Sequence, residues 1–119
     1  MVTRRALVLV GCLALAPSNS AAAAGAPVFK FYWGEGCRHC EAAKLFVRKL
    51  KQEHPKLRFE SWEVRKDPTG RKHFVNDVKR LKIQKPSVPT FVCGDGYVSG
   101  YKKETTEPCV RELLRRCTR

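Results

Sequence analysis

Residues 28–40 read Val28-Phe29-Lys30-Phe31-Tyr32-Trp33-Gly34-Glu35-Gly36-Cys37-Arg38-His39-Cys40, and their reading decides the fold. Val28 to Trp33 is short, apolar and aromatic, which predicts a strand. Gly34-Glu35-Gly36 breaks it. From Cys37 to about Glu53 the positions Cys40, Ala43, Val47 and Leu50 recur at helical spacing, with Phe46 beside them, and His54-Pro55 ends the helix. Two cysteines three residues apart thus stand where a strand and a glycine loop run into a helix. Unpaired amide N–H groups and the positive end of the helix dipole favour an anion there. A thiol at that mouth ionises more readily, and the thiolate is the attacking species. Cys40 shares the helix face and lies within disulfide reach. These residues make Cys37 the candidate nucleophile and Cys40, on the apolar stripe, the candidate resolving thiol.

The rest of the chain follows outward from this point. Leu57 to Val64 alternates, with Leu57, Phe59 and Ser61 on one side and Arg58, Glu60 and Trp62 on the other, which predicts a second strand. Asp67-Pro68 is a helix start, an N-cap followed by proline in the first turn. Phe74, Val75, Val78 and Leu81 form the apolar stripe predicted for that helix. After Pro86-Ser87-Val88-Pro89 comes a strand over Thr90–Cys93. Gly94-Asp95-Gly96 reads as a hairpin turn, and Tyr97 to Tyr101 as the returning strand. Thr105 or Thr106 is expected to cap a last helix, on which Val110, Leu113, Leu114 and Cys117 share a face. The order is β-α-β-α-β-β-α, an α/β domain with no internal repeat.

At 119 residues the chain holds one domain. Residues 1–24 read as a cleaved signal peptide: Arg4-Arg5, an apolar run from Ala6 to Ala16, then small residues to Ala24. That run falls short of the roughly 20 residues a membrane span needs. Leu9-Val10-Gly11-Cys12 is a weaker alternative, a lipoprotein box with Cys12 lipidated. The domain is expected over 27–119, in a periplasmic or secreted setting. Cys37, Cys40, Cys93, Cys109 and Cys117 remain after Cys12 is lost, which fits an oxidising compartment; their odd number leaves at least one free, lipid-bound or intermolecular thiol.

The formal charge of +13 falls to about +11 without Arg4 and Arg5. Such a surface attracts acidic proteins, anionic headgroups or nucleic acid. Its cations are scattered over the helices, however, and no aromatic-interleaved basic stretch forms a base-stacking platform. The charge reads as a solvated basic face, and no nucleic-acid partner is expected. A zinc site would need two ligands beyond a C-x-x-C. The chain has no second C-x-x-C and no closely spaced histidine pair, since His54 and His73 stand apart. No metal and no dissociable cofactor are expected.

Phe29 to Cys40 resembles the active-site strand and turn of thioredoxin-like proteins. Ser87-Val88-Pro89-Thr90-Phe91 resembles the family's second signature, a cis-proline loop opening the third strand. With Gly100-Tyr101 following, the chain is similar to glutaredoxin-like and small exported thioredoxin-like members from Val28 to Cys117. The resemblance implies a thioredoxin-like fold, a central mixed sheet flanked by helices. It implies that Cys37 attacks, Cys40 resolves, Pro89 is cis beside them, and the Val88 backbone pairs with an extended substrate. In that fold the strand after Pro89 and the last helix both end at the pole away from the site. Cys93 and Cys117 are therefore expected to form a structural disulfide, with Cys93–Cys109 the alternative. Cys109 and Cys117 are about 12 Å apart along one helix, too far to bridge.

The chain departs from the family at four points. Thioredoxins carry a buried acid six residues before the first cysteine, where Phe31 stands. Gly36 replaces the tryptophan that precedes that cysteine. Glutaredoxins show Gly-Gly and an acidic pair where Gly100-Tyr101-Lys102-Lys103-Glu104 stands, which argues against a glutathione site. The helical insertion of large periplasmic oxidants is missing. His39 matches the form found in disulfide oxidants and isomerases, and with Arg38 it favours the Cys37 thiolate and a more oxidising pair. The resemblance thus implies a thiol–disulfide oxidoreductase acting on protein thiols and disulfides, leaning to oxidase or isomerase and served by a membrane or soluble redox partner. The alternatives left open are an envelope reductase recharged by a membrane electron donor and a metal-binding module using Cys37, Cys40 and His39. The oligomeric state is not legible.

Overall fold

The computed structural model describes residues 26–119. The leader expected over 1–24, and Cys12 within it, lie outside the described residues. Seven elements follow in the order read from the sequence: β1 (Val28–Trp33), α1 (Arg38–Glu53), β2 (Arg58–Glu63), α2 (Pro68–Leu81), β3 (Thr90–Cys93), β4 (Gly96–Ser99) and α3 (Lys103–Cys117). The sheet order is β2-β1-β3-β4. β1 and β2 are parallel, with Val28 opposite Arg58 and Trp33 opposite Glu63, so α1 serves as the crossover that parallel strands require. β3 runs antiparallel to β1, with Tyr32 opposite Thr90 and Phe29 opposite Cys93. β4 returns with Ser99 opposite Thr90. One pole of the sheet therefore gathers Trp33, Glu63, Thr90 and Ser99; the other gathers Phe29, Cys93 and Gly96.

Alternation along β1 divides the core into two layers. Phe29 and Phe31 face one side, where they pack with Phe91, the α1 stripe Ala43, Phe46, Val47 and Leu50, and Val110, Leu113 and Leu114 of α3. Tyr32 faces the other side, with Val64, Val92, Trp62 and Phe74. Burial of a single large apolar side chain contributes about 1.5–3 kcal/mol, so these two layers carry most of the folding drive.

Two local expectations are corrected. Val75 is exposed, and the inward face of α2 instead carries Asp77, which is 4 % exposed. Helical spacing explains the exchange, because Phe74, Asp77 and Leu81 lie on one face and Val75 is turned about 100° from Phe74. The Asp77 charge is tolerated because Tyr32 Oη donates to it at 2.7 Å, Lys30 Nζ at 3.1 Å and Arg80 Nη2 at 2.9 Å. α3 begins at Lys103, ahead of both threonines, with Lys102 as N-cap and no side-chain capping bond from it. The Thr106 hydroxyl, inside the first turn, instead accepts the Lys102 N–H at 2.8 Å.

Candidate active site

Cys37 is the N-cap of α1, in extended backbone, and Gly36 before it has φ +83°, a conformation that favours glycine. The turn is closed by the Cys37 N–H, which donates to the Gly34 carbonyl at 3.1 Å. Cys37 and Cys40 are joined in a disulfide with their Cα atoms 5.2 Å apart. The Cys37 sulfur also accepts the Cys40 N–H at 3.1 Å, as a side-chain N-cap does. Cys37 keeps about 8 % of its surface exposed, whereas Cys40 has none. Of the pair, Cys37 is the one open to solvent, and it stays the candidate nucleophile. Arg38 and His39 stand exposed on the first turn of α1 beside it.

Across the cleft the Val88–Pro89 peptide bond is cis, and the Val88 carbonyl oxygen lies 3.9 Å from the Cys37 sulfur. Two contacts fix this loop from behind: the Gly100 N–H donates to the Pro89 carbonyl at 2.7 Å, and the buried Thr90 hydroxyl donates to the Ser87 carbonyl. The sequence-predicted residues Cys37, Arg38, His39, Cys40, Val88 and Pro89 are thus brought to one pole. Cys93 and Cys117 are joined by a disulfide at the opposite pole. Cys109 is buried in the core layer shared with Phe46 and Leu113.

The core layer on which α1 packs is apolar. Phe31 stacks on Phe91 with ring centroids 5.4 Å apart. Among the described residues the one buried carboxylate, Asp77, lies on the opposite face of the sheet, against Tyr32. Burial alone pushes the Asp77 carboxyl up, but Tyr32, Arg80 and Lys30 together hold it below its ordinary value. Among the described residues no three His, Cys, Asp or Glu side chains converge to hold a metal ion.

Sequence reasoning missed two residues at this pole. Glu63, at the end of β2, accepts four backbone N–H groups: Glu35 at 2.8 Å and Arg65 at 3.0 Å on Oε2, Lys66 at 2.7 Å and Asp67 at 3.0 Å on Oε1. Burial raises its carboxyl, but these four donors outweigh that and bring it down to about 2. One carboxylate therefore ties the loop before Cys37 to the loop before α2. Arg65 adds a second tie, its Nη1 donating to the Glu35 carbonyl at 2.9 Å. The only sequence signal for either was their place between a strand and the Asp67-Pro68 helix start.

A scan against protein-family models and a search of curated proteins return no match. Solved structures do match. Thioredoxin from Fasciola hepatica superposes with a TM-score of 0.59 at 21% identity, over 78% of this chain and 82% of that one. Thioredoxin f from spinach chloroplast gives 0.55 at 20% identity, over 79% and 81%. Thioredoxin f2 from Chlamydomonas reinhardtii gives 0.52 at 15% identity, over 72% and 77%. With the β2-β1-β3-β4 sheet, the helix-capping cysteine pair and the cis-proline loop already in place, these likenesses establish that the chain has the thioredoxin-like fold.

Proposed function

We propose that this protein is a thiol–disulfide oxidoreductase that acts on protein thiols in the cell envelope or an equivalent secretory space. The observation that carries this reading is the Cys37–Cys40 disulfide at the mouth of α1, facing the Val88 carbonyl at 3.9 Å. In the oxidising direction a client thiolate attacks the Cys37 sulfur, a client–Cys37 bond forms, and Cys40 leaves as thiolate. The client's second thiol then attacks its own sulfur in that mixed disulfide and releases Cys37. Two electrons pass from the client to the protein, which ends as a dithiol, and an external disulfide restores it. The client's extended backbone pairs with Val88 while this happens, and no dissociable cofactor takes part.

The lean towards oxidation rests on charge. The first-turn amides of α1 and the exposed Arg38 guanidinium, with His39 next to it in the same turn, place positive potential near the Cys37 sulfur and so favour its thiolate. Stabilising the reduced form raises the potential, by about 30 mV per 1.4 kcal/mol, above the roughly −270 mV of thioredoxin. The leader expected over residues 1–24 supports the envelope setting.

Trapping tests the chemistry. Cys40→Ser removes the resolving thiol and should leave Cys37 in mixed disulfides with clients, captured from an envelope extract without reductant. Equal capture by Cys37→Ser refutes the nucleophile assignment. Equilibration of the pair with glutathione tests the direction, and a potential at or below thioredoxin's replaces the oxidant with a reductase.

A further inference from the structure

The loop before Cys37 has glycine at 34 and 36, and the space they leave is crossed by a guanidinium. A Cβ on Gly34 would lie 2.7 Å from Arg65 Nε and 2.8 Å from its Cδ, and a Cβ on Gly36 would lie 3.9 Å from Nη1. Arg65 therefore reaches the residue adjoining the attackable sulfur. It is held there from three sides. Glu63 binds its backbone N–H, Arg71 Nη2 donates to its carbonyl at 2.6 Å, and its own Nη1 rests on the Glu35 carbonyl. Both loops bordering the space are fixed by the same Glu63 carboxylate, so the guanidinium is positioned before any client arrives.

Among the described residues its charge is not spent on a neighbour. Glu63 is occupied by four amides, and the Glu35 carboxylate pairs with Lys66 Nζ at 3.3 Å. Among the described residues the Arg65 guanidinium makes one hydrogen bond, to a neutral carbonyl, out of the five N–H donors it offers. Arg71 likewise donates only to carbonyls, those of Val64 and Arg65. Among the described residues the β2 side of the site is thus a cationic rim with no carboxylate paired to the Arg65 or Arg71 side chain. A planar fork with free donors suits a carboxylate.

We propose, building on the oxidoreductase reading, that Arg65 is a specificity residue selecting protein clients with an Asp or Glu beside the reacting cysteine. Such a side chain enters the rim as the client sulfur reaches Cys37. The selection is made in binding, so it appears in KM rather than kcat.

The test uses two dithiol peptides that differ only in Asp or Asn flanking the cysteine, oxidised by the full-length protein. The wild type should favour the Asp peptide about three- to fivefold in kcat/KM relative to Arg65→Gln, the upper part of the range of one exposed ion pair. Taking the ratio between variants cancels the intrinsic reactivity of the two peptides. Arg65→Lys should keep part of the preference, about 0.5 M salt should suppress it, and Arg48→Gln on the exposed flank of α1 should retain it. An Asp/Asn ratio that Arg65→Gln leaves unchanged, or an equal fall for both peptides, overturns the proposal. Binding of the same peptides with serine for cysteine, followed by NMR shifts, reads Arg65 without redox chemistry. An Arg65-dependent preference there with no turnover of either dithiol sinks the oxidoreductase reading and leaves the carboxylate site standing. No preference there, alongside normal turnover, sinks the Arg65 site alone.

Discussion

Replacing both Cys93 and Cys117 with alanine should remove a large share of the domain's stability while leaving the reactive pole in place. The bridge joins residues 24 apart in sequence and encloses β4 and all of α3. In the chain-entropy relation a closed loop of that length restrains the unfolded chain by about 3.5 kcal/mol. Cys93 is also 1 % exposed in the core layer, so losing its sulfur adds about 1 kcal/mol of transfer and cavity cost. The expected total is about 4–5 kcal/mol, against about 5–15 kcal/mol for a whole domain. Urea unfolding at neutral pH measures it, with Cys37–Cys40 kept oxidised in both proteins so that only one bridge differs. The m-value should rise, because the unlinked unfolded chain exposes more surface. The thermal midpoint should fall by about 15–25 °C. A loss under about 1 kcal/mol with an unchanged m-value refutes the reasoning, because the bridge would then not be restraining the unfolded chain.

Two further predictions concern carboxylates. Asp77→Asn should cost about 2–3 kcal/mol in urea unfolding, because Tyr32 and Lys30 donate to one carboxylate oxygen and Arg80 to the other, and an amide nitrogen in place of either oxygen cannot accept. An unchanged midpoint would show that these donors find other partners. Glu63 has its folded-state carboxyl lowered from an ordinary 4.5 to about 2, so its contribution is present above pH about 4.5 and lost as pH falls towards about 2. Glu63→Gln should flatten the fall in stability through that window, and amide exchange at Glu35 should be faster in the variant at neutral pH. Parallel acid profiles for the two proteins would remove Glu63 as the tie between the loops.

The element order was legible because each helix and strand carries its own periodicity: the α1 stripe repeats at helical spacing, β2 alternates, and Gly94-Asp95-Gly96 marks the hairpin. The Cys37–Cys40 bridge at the mouth of α1 was legible because spacing and local context, a glycine loop running into a helix, already place the two sulfurs within reach. Other features depend on partners distant in sequence. Asp77 is 45 residues from Tyr32 and 47 from Lys30, and nothing local marks a charged residue as buried. Val75 looked like core because it is apolar, yet the face of α2 is chosen by where Phe74 and Leu81 pack. Glu63 resembles any strand-end charge until the amides of two loops are seen converging on it. Thr105 and Thr106 resembled N-caps because their hydroxyls do bond at that terminus, from inside the turn.

The position of Phe31 bears on how Cys40 changes protonation. In thioredoxins an acid stands at this place; here an apolar ring stacked on Phe91 does, and the one buried carboxylate among the described residues faces the other layer. When the chain acts as oxidant, Cys40 leaves as a thiolate and must gain a proton. When it acts as reductant, the Cys40 thiol must lose that proton before it attacks. By microscopic reversibility a missing acid–base group slows both directions through the same transition state, so Phe31 does not choose between them. The preferred direction is an equilibrium property, and in the proposed function it rests on what stabilises the Cys37 thiolate against the disulfide: the first-turn amides, Arg38 and His39. Cys40 has no exposed surface while the bridge is closed. In the proposed reaction the Cys37–Cys40 bond is open while a client is held as a mixed disulfide, so the proton step falls within the client's residence on the protein.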